Sequence, residues 1–374
     1  MISFIVVYFI FKFQKKRENK RESNLELLRI ISMIMIVAHH FALHGFQFHE
    51  LELTSNKIIL DFLVIGGKIG VNIFILISSY FLIEGKFNLK RIINLILKVK
   101  VYAILFLILF YFKGEIISLK DIMRSIFPIF YELYWFISAY IILYFIFPYL
   151  NKFLNNLTKI ELEKLLLGSF FLYSILPSFI GTKLFFSSVI WFVILYLMTY
   201  YIKKYLDLNK INNLKILSIM SYLLIFISIL SFDYLGKRIE IFKIYDTYFI
   251  AENSILSLIF SISTFLIFLK MDKINNKLIN YLANGTLGVY LFHENVFVRP
   301  YLYNEILLNN KFIEYNSLIF LFHSILSIIF IFMLGIIIDY LIEIIIKSII
   351  VKFLNYDILA KKVTNNFWKI LKIK

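Results

Sequence analysis

Cysteine is absent from this chain of 374 residues. A thiol nucleophile, a cysteine zinc site and a disulfide are therefore excluded. Proline and glycine are scarce, at 4 and 12 residues, and no polar stretch is long enough to form a separate soluble domain. These absences do not identify the redox compartment, because a chain embedded in a membrane needs no disulfides. They favour a single domain.

Charged residues are also few, and apolar residues dominate. The chain is 17% charged and 61% hydrophobic, with a mean hydropathy of +0.83, which is typical of a polytopic helical membrane protein. The sequence predicts an all-α transmembrane bundle with about ten spans, at residues 25–46, 58–83, 91–112, 131–150, 164–181, 184–202, 213–232, 250–269, 278–298 and 316–346. We expect a basic cytoplasmic N-terminal segment at 1–24, the transmembrane domain at 25–346 and a basic cytoplasmic tail at 347–374.

The net charge of +16 is explained by orientation in a membrane. If the N-terminus is cytoplasmic, 28 of the 40 Lys and Arg residues lie on the cytoplasmic side and 10 on the external side. The remaining two, Arg29 and Lys68, lie within spans. This asymmetry follows the positive-inside rule and predicts that both termini are cytoplasmic. Nucleic acid is not an expected partner.

Arg29 and His40 form the most informative pair in the sequence. They lie eleven residues apart on the first apolar helix, so their side chains point within about 20° of each other. The helical rise separates them by about 16 Å, roughly half the hydrocarbon thickness. Because ionisable groups inside a bilayer are costly, they are functional candidates. A cation near one surface and a deeper imidazole on the same face predict a ligand that lies across the membrane.

Two further histidines accompany His40. His39 points about 80° away from Arg29, whereas His44 lies about 60° from it. The spacing of four residues between His40 and His44 is one that binds metal on a helix. No third ligand is evident nearby and no HExxH motif is present, so we expect no metal site.

His293 and Arg299 are candidates near the outer end of the ninth span. Glu294 follows His293 directly, and adjacent helical residues point about 100° apart, so we expect Glu294 to face an imidazole on another helix. Arg299 has snorkelling to the interface as an alternative explanation. Tyr134 and Trp135 open the fourth span, where an aromatic belt is the alternative to substrate contact.

Two segments in and after the second span each allow two interpretations. The glycines around Lys68, at residues 66, 67 and 70, indicate either a break between helical pieces or a kink that lines a substrate path. Lys90 and Arg91 lie in a basic turn after that span, which either anchors the chain at the inner surface or binds phosphate.

Four sequence blocks, taken in order, resemble one known family. The first is Arg29 with ten residues before His40, which matches an Arg/Lys-x10-His motif. The others are GVNIFILISSYFL at 70–82, followed by the basic turn, YWFISAY at 134–140 with FPYLN at 147–151, and TLGVYLFH at 286–293. Together they are similar to the acyltransferase-3 family of integral membrane acyltransferases, in particular the O-acetyltransferases of surface polysaccharide. Ser79 stands where the family usually has Gly, and Lys90 stands where a second arginine would complete the basic pattern.

This resemblance implies a membrane O-acyltransferase that uses cytoplasmic acyl-CoA. An acyl group, most often acetyl, would move to a hydroxyl of a cell-surface polysaccharide such as capsule, or of its lipid-linked precursor. His40 would act as general base or form a transient acyl-His. The expected CoA contacts are Arg29, Lys90 and Arg91, and the expected substrate contacts are Tyr134, Trp135, His293 and Arg299. The expected partners are acyl-CoA, the glycan acceptor and membrane lipids, with no permanently bound cofactor, in a bacterial plasma or inner membrane.

Two other functions remain open at the level of sequence. A polytopic exporter of lipid-linked sugar would line its pathway with a buried Arg and His. A glycan polymerase would place acidic residues in an external loop, where Glu50 and Glu52 are weak candidates. Transfer of label from acetyl-CoA by membranes distinguishes an acyltransferase from both.

The predicted topology is tested by cysteine labelling, since the native chain has no competing thiol. In intact cells, an impermeant thiol reagent should modify the Lys243→Cys variant and leave the Lys210→Cys variant unmodified, because the positive-inside rule places these loops on opposite sides. The opposite pattern would put Arg29 at the outer face and contradict its assignment to CoA.

Overall fold

Long apolar helices make up most of the described residues, which in the computed structural model are 22–181 and 186–353, with side chains to 347. No strand occurs among them. The main helices are α1 (Ser23–His44), α2 (Ser55–Val64), α3 (Gly66–Leu82), α4 (Leu89–Phe112), α5 (Trp135–Asn155), α6 (Lys159–Phe170), α7 (Ser188–Tyr205), α8 (Leu214–Gly236), α9 (Ile255–Lys270), α10 (Lys277–His293) and α11 (Ser317–Phe353). Short α-helices lie at Leu119–Ile126, Leu176–Ile180, Ile241–Ile244, Val298–Tyr301 and Asn309–Phe312, 3₁₀ turns at Phe48–Glu50, Leu208–Lys210 and Tyr248–Ile250, and π turns at Phe171–Ile175 and Leu302–Ile306.

Each predicted span overlaps one or more helices of the structure. Among the described residues, eight helical stretches are long and apolar enough to cross a membrane: Ser23–His44, Ser55–Leu82, Leu89–Phe112, Trp135–Asn155, Lys159–Ile180, Leu214–Gly236, Ile241–Lys270 and Ser317–Lys347. The other two predicted spans correspond to α7 and α10, which have 18 and 17 residues. The polytopic helical bundle is confirmed, while the number of ten crossings and the cytoplasmic termini stay predictions.

The predicted terminal segments lie largely outside the described residues. Residues 1–21 and 354–374 are not described. Helix α11 continues past the predicted boundary at 346 and ends at Phe353, so the segment predicted as a tail begins inside a helix.

The second span is broken, as one of the two interpretations of its glycines predicts. Helix α2 ends at Val64 and α3 begins at Gly66. His39 Nδ1 donates to the carbonyl oxygen of Val64 at 2.5 Å, which satisfies a backbone group at the break. Gly67 allows this close approach, because a Cβ there would lie 2.2 Å from Cγ of His39. His39 is therefore a buried structural partner of the break.

Helix α1 runs beside α10 in the same direction. Near their first residues, the Ser23 hydroxyl accepts from the Asn276 N–H at 2.8 Å and donates to Asn280 Oδ1 at 2.8 Å. Seventeen residues later on both helices, His40 meets His293. The register of this helix pair places the two imidazoles together.

A buried ionic cluster is centred on Lys57 of α2. Lys57 is 1% exposed, and its Nζ lies 2.6 Å from Asp61 Oδ1, 3.2 Å from Asp233 Oδ2 and 3.7 Å from Asp246 Oδ2. The same ammonium lies 3.5 Å above the ring of Phe48. Buried charges persist only when they are paired, so this cluster fastens α2 to the last turn of α8 and to the connection that follows it.

Candidate active site

Four helices, α1, α3, α5 and α10, enclose a cavity of about 320 Å³, to which α4 adds one residue. The wall is mostly apolar and aromatic and carries a few polar groups. It consists of Arg29, Met33, Ile36, His39, His40, Gly67, Lys68, Val71, Phe74, Ser78, Leu95, Trp135, Phe136, Ile137, Tyr140, Ala283, Asn284, Thr286, Leu287 and Tyr290. Such a cavity, apolar with a few convergent polar groups, is the usual form of a small-molecule site.

Helix α1 contributes Arg29, Met33, Ile36 and His40 to this wall. Their spacings of four, three and four residues put them on one helical face. Arg29 and His40 thus line the same cavity, as the eleven-residue spacing predicts.

A second cavity of about 250 Å³ continues from the first at the Arg29 end. Arg29, Ser78, Leu95 and Tyr140 line both cavities. Arg91 lines the second, where it joins Arg29. The structure therefore brings together two of the three predicted CoA contacts.

Lys90 is placed differently from these two arginines. It lies in the first turn of α4, where its N–H donates to the side-chain oxygen of Asn88 at 3.0 Å. Among the described residues, it is not part of the wall of either cavity. The structure therefore gives Lys90 no place beside Arg29 in the cavity.

His40, His293 and a backbone carbonyl form a directed chain of hydrogen bonds. His293 Nδ1 lies 2.6 Å from the carbonyl oxygen of Val289, and His293 Nε2 lies 2.9 Å from His40 Nδ1. The carbonyl only accepts, so His293 Nδ1 donates and the Nε2 of neutral His293 accepts. His40 Nδ1 then donates, which leaves the lone pair of neutral His40 on Nε2. No described residue hydrogen-bonds that nitrogen, so it is available as a base.

Glu294 reaches the same imidazoles from the end of α10. Its Oε1 lies 3.6 Å from His40 Nδ1 and 3.4 Å from His44 Nε2, so it faces imidazoles on another helix, as expected. Arg299 donates to His44 Nε2 at 3.2 Å and lies 3.5 Å from Glu294 Oε1. A carboxylate beside His40 stabilises the imidazolium that forms when His40 takes a proton.

The atoms of His40, His44 and Glu294 also form the ligand set of a possible metal site. One ligand atom from each lies within 4.8 Å of the others. Glu294 is the third ligand that the sequence did not reveal. The guanidinium of Arg299 lies against two of the three groups and supplies the positive charge that a metal would bring. Arg299 is therefore the cation that already balances the charge of Glu294 in this cluster.

The acyltransferase-3 family model, described as an acyltransferase domain, matches residues 22–344. The chain belongs to the acyltransferase-3 family. No curated protein and no solved structure matches it. The matched residues include all four cavity-forming helices, so the cavity lies within the membrane acyltransferase domain.

Of the remaining predicted site residues of this acyltransferase, one lines the cavity and the others support residues that line it. Trp135 lines the cavity. The hydroxyl of Tyr134 donates to the carbonyl oxygen of Leu291 at 3.0 Å and accepts from Asn295 Nδ2 at 3.0 Å. Tyr134 is buried outside the cavity wall, so the expected substrate contact is not observed, and its bonds position the start of α5 against α10. His293 and Arg299 likewise lie outside the wall, His293 bonded to His40 and Arg299 in contact with His44 and Glu294.

Sequence reasoning assigned no role to two polar residues of the wall, Lys68 and Tyr290. Lys68 Nζ lies 2.7 Å from Glu252 Oε2 and 4.4 Å from the centre of the Trp135 ring. It lies among the glycines of the second span, so that segment both breaks the helix and lines the cavity. Tyr290 falls within the last sequence block, but periodicity alone does not show which residues of α10 face the cavity.

The hydrogen bond from His293 to His40 is tested by two substitutions. His293→Leu removes the acceptor for His40 Nδ1–H, and kcat for acyl transfer should fall by about 10²-fold. His293→Gln offers a side-chain carbonyl to the same N–H and should keep at least about a tenth of the wild-type rate. Transfer of label from acetyl-CoA in membranes measures both.

His323→Leu is the matched control, because His323 is a membrane histidine bonded to Asn309 outside the cavity. Its rate should stay close to wild type. Equal losses in the leucine and glutamine variants of His293, or a normal rate in the leucine variant, would show that His293 does not position His40.

Proposed function

We propose that the protein is a membrane O-acyltransferase that moves an acyl group, acetyl in the first instance, from cytoplasmic acyl-CoA to a hydroxyl of a cell-surface polysaccharide or its lipid-linked precursor. The observation that carries the proposal is the single cavity whose wall runs from Arg29 to His40. Its two ends differ in chemistry: the guanidinium of Arg29 lies at one end and the imidazole of His40, a base, lies at the other.

The Arg29 end suits the phosphates of CoA. Arg29 and Arg91 line one cavity there, and guanidinium groups bind phosphate in bidentate fashion. Arg29 already pairs with Glu26 at 2.5 Å, which holds the guanidinium in place without a ligand. In the orientation predicted by the positive-inside rule, this end faces the cytoplasm, where acyl-CoA is made.

The His40 end suits the acceptor. His40 precedes the end of α1 at His44 by four residues, a rise of about 6 Å. A hydroxyl therefore reaches His40 from the end of the bundle opposite Arg29. Trp135, Phe136 and Tyr290 line this part of the molecule, and aromatic rings of this kind offer flat apolar surfaces to a sugar.

The transfer then follows from the protonation pattern of the histidines. His40 Nε2 takes the proton of the acceptor hydroxyl while the hydroxyl oxygen attacks the thioester carbonyl carbon. Glu294 stabilises the imidazolium of His40. The tetrahedral intermediate collapses with cleavage of the C–S bond, and the leaving thiolate takes the proton back from His40. The products are the acylated acceptor and free CoA, so atoms and charge balance.

The proposal is tested by the His40→Ala variant. Removal of the base should lower acyl transfer from labelled acetyl-CoA by at least about 10²-fold, and the O-acyl signal in NMR spectra of surface glycan should disappear. Binding of acetyl-CoA to isolated membranes should persist, because Arg29 and Arg91 are intact.

His39→Ala is the matched control, since it removes a neighbouring imidazole that bonds the Val64 carbonyl. Its transfer rate per folded molecule should fall much less than that of His40→Ala. Near-normal acylation by a folded His40→Ala protein would contradict the proposed function.

A further inference from the structure

Tyr290 carries a buried hydroxyl whose proton has no hydrogen-bond acceptor among the described residues. The side chain is 6% exposed and lines the cavity. It lies on α10, three residues before His293, with 6.3 Å between the two ring centres. A buried O–H without an acceptor costs free energy. We therefore expect a bound ligand to supply the acceptor for the Tyr290 hydroxyl.

The first turn of α5 meets Tyr290 at this point of the wall. The backbone N–H of Phe136 is a donor to the phenol oxygen, which leaves the O–H of Tyr290 to donate to a ligand, and the rings of the two residues are 5.9 Å apart. Trp135 and Phe136 are the first two residues of a helix of 21 residues, so their N–H groups have no acceptor within the helix. No other described carbonyl accepts from them. The positive end of the helix dipole therefore faces the wall where the Tyr290 hydroxyl lies.

Lys68 adds a positively charged group beside Trp135, paired with the carboxylate of Glu252. Its ammonium lies 4.4 Å from the centre of the Trp135 ring. Lys68 Nζ lies 2.7 Å from Oε2 of buried Glu252, and Lys68 is part of the cavity wall. A fixed hydroxyl, a helix N-terminus and an ammonium thus converge on one cavity with His40.

We propose that Tyr290, the N-terminus of α5 and Lys68 form the oxyanion site of this acyltransferase, with the Tyr290 hydroxyl donating to the acyl carbonyl oxygen. The inference rests on the proposed function. When the acceptor oxygen bonds to the carbonyl carbon, the C=O π electrons move to the oxygen, and the donors stabilise that negative charge. The charge returns as the C–S bond breaks. Donors fixed before the reaction act mainly on the transition state.

The Tyr290→Phe variant tests this assignment directly. It should lower kcat for transfer from acetyl-CoA by about 10²-fold and leave KM for acetyl-CoA nearly unchanged, because the hydrogen bond strengthens only as charge develops. The thermal stability of the purified protein should change little, since the lost hydroxyl donates to no described residue. A structural hydroxyl would give the reverse pattern, with lower stability and normal kcat.

Tyr196→Phe is the matched control for loss of a buried hydroxyl. Tyr196 donates to Asn151 Oδ1 at 2.7 Å and lies outside the cavity. This variant should lose stability and keep kcat. If Tyr290→Phe behaves like Tyr196→Phe, the oxyanion assignment is wrong.

Lys68 is examined with Lys68→Met and Lys68→Arg. The methionine variant should lower kcat more than the arginine variant, which keeps the charge. If kcat is equal in the wild type and both variants, Lys68 is not part of the oxyanion site.

A spectroscopic measurement separates this inference from the proposed function. The ketone analogue of acetyl-CoA, with CH₂ in place of sulfur, keeps the carbonyl and cannot transfer its acyl group. Its infrared C=O band should shift to lower frequency on binding to the wild type and to His40→Ala, and the shift should shrink in Tyr290→Phe. An unchanged shift in Tyr290→Phe would overturn the oxyanion site, whereas normal transfer by His40→Ala would overturn the proposed function itself.

Discussion

Imidazoles and carboxylates buried among apolar helices need partners, and this requirement fixes how α1 meets α10. The Val289 carbonyl directs His293, and His293 directs His40. Glu294 and Arg299 complete the group with opposite charges. Each member satisfies another, so the cost of burial is offset locally. One nitrogen, His40 Nε2, is left without a partner among the described residues, and the proposed chemistry occurs there.

The cavity in front of that nitrogen depends on close packing behind it. The absence of a side chain at Gly67 lets α3 approach His39, which in turn bonds the carbonyl exposed where the second span breaks. This break presents Lys68 to the cavity at the height of Trp135. A larger residue at 67 would push α3 away from α1 and widen the cavity between them. The break in the second span therefore also determines where Lys68 lies in the cavity wall.

The sequence predicted the features that depend on a single helix. The eleven-residue spacing placed Arg29 and His40 on one face, and a break in the second span was one of the two interpretations of its glycines. Partners on different helices could not be predicted, because periodicity shows which face is buried but not which helix covers it. The bond between His40 and His293 and the unaccepted hydroxyl proton of Tyr290 belong to this class, whereas for Glu294 the sequence predicted an imidazole on another helix but not which one. Tyr134 shows the converse, since its place at the start of a span suggested substrate contact while its hydroxyl bonds the backbone of α10.

The central claim is that a donor lies along α1 with its phosphates at Arg29 and its acyl carbon at His40. The most direct measurement is an electron cryo-microscopy structure of the protein in lipid nanodiscs with the ketone analogue of acetyl-CoA. The account predicts density for the phosphates beside Arg29 and Arg91, and for the carbonyl between His40 Nε2 and the Tyr290 hydroxyl. Phosphate density at the opposite end of the bundle, beside Arg299, would contradict it.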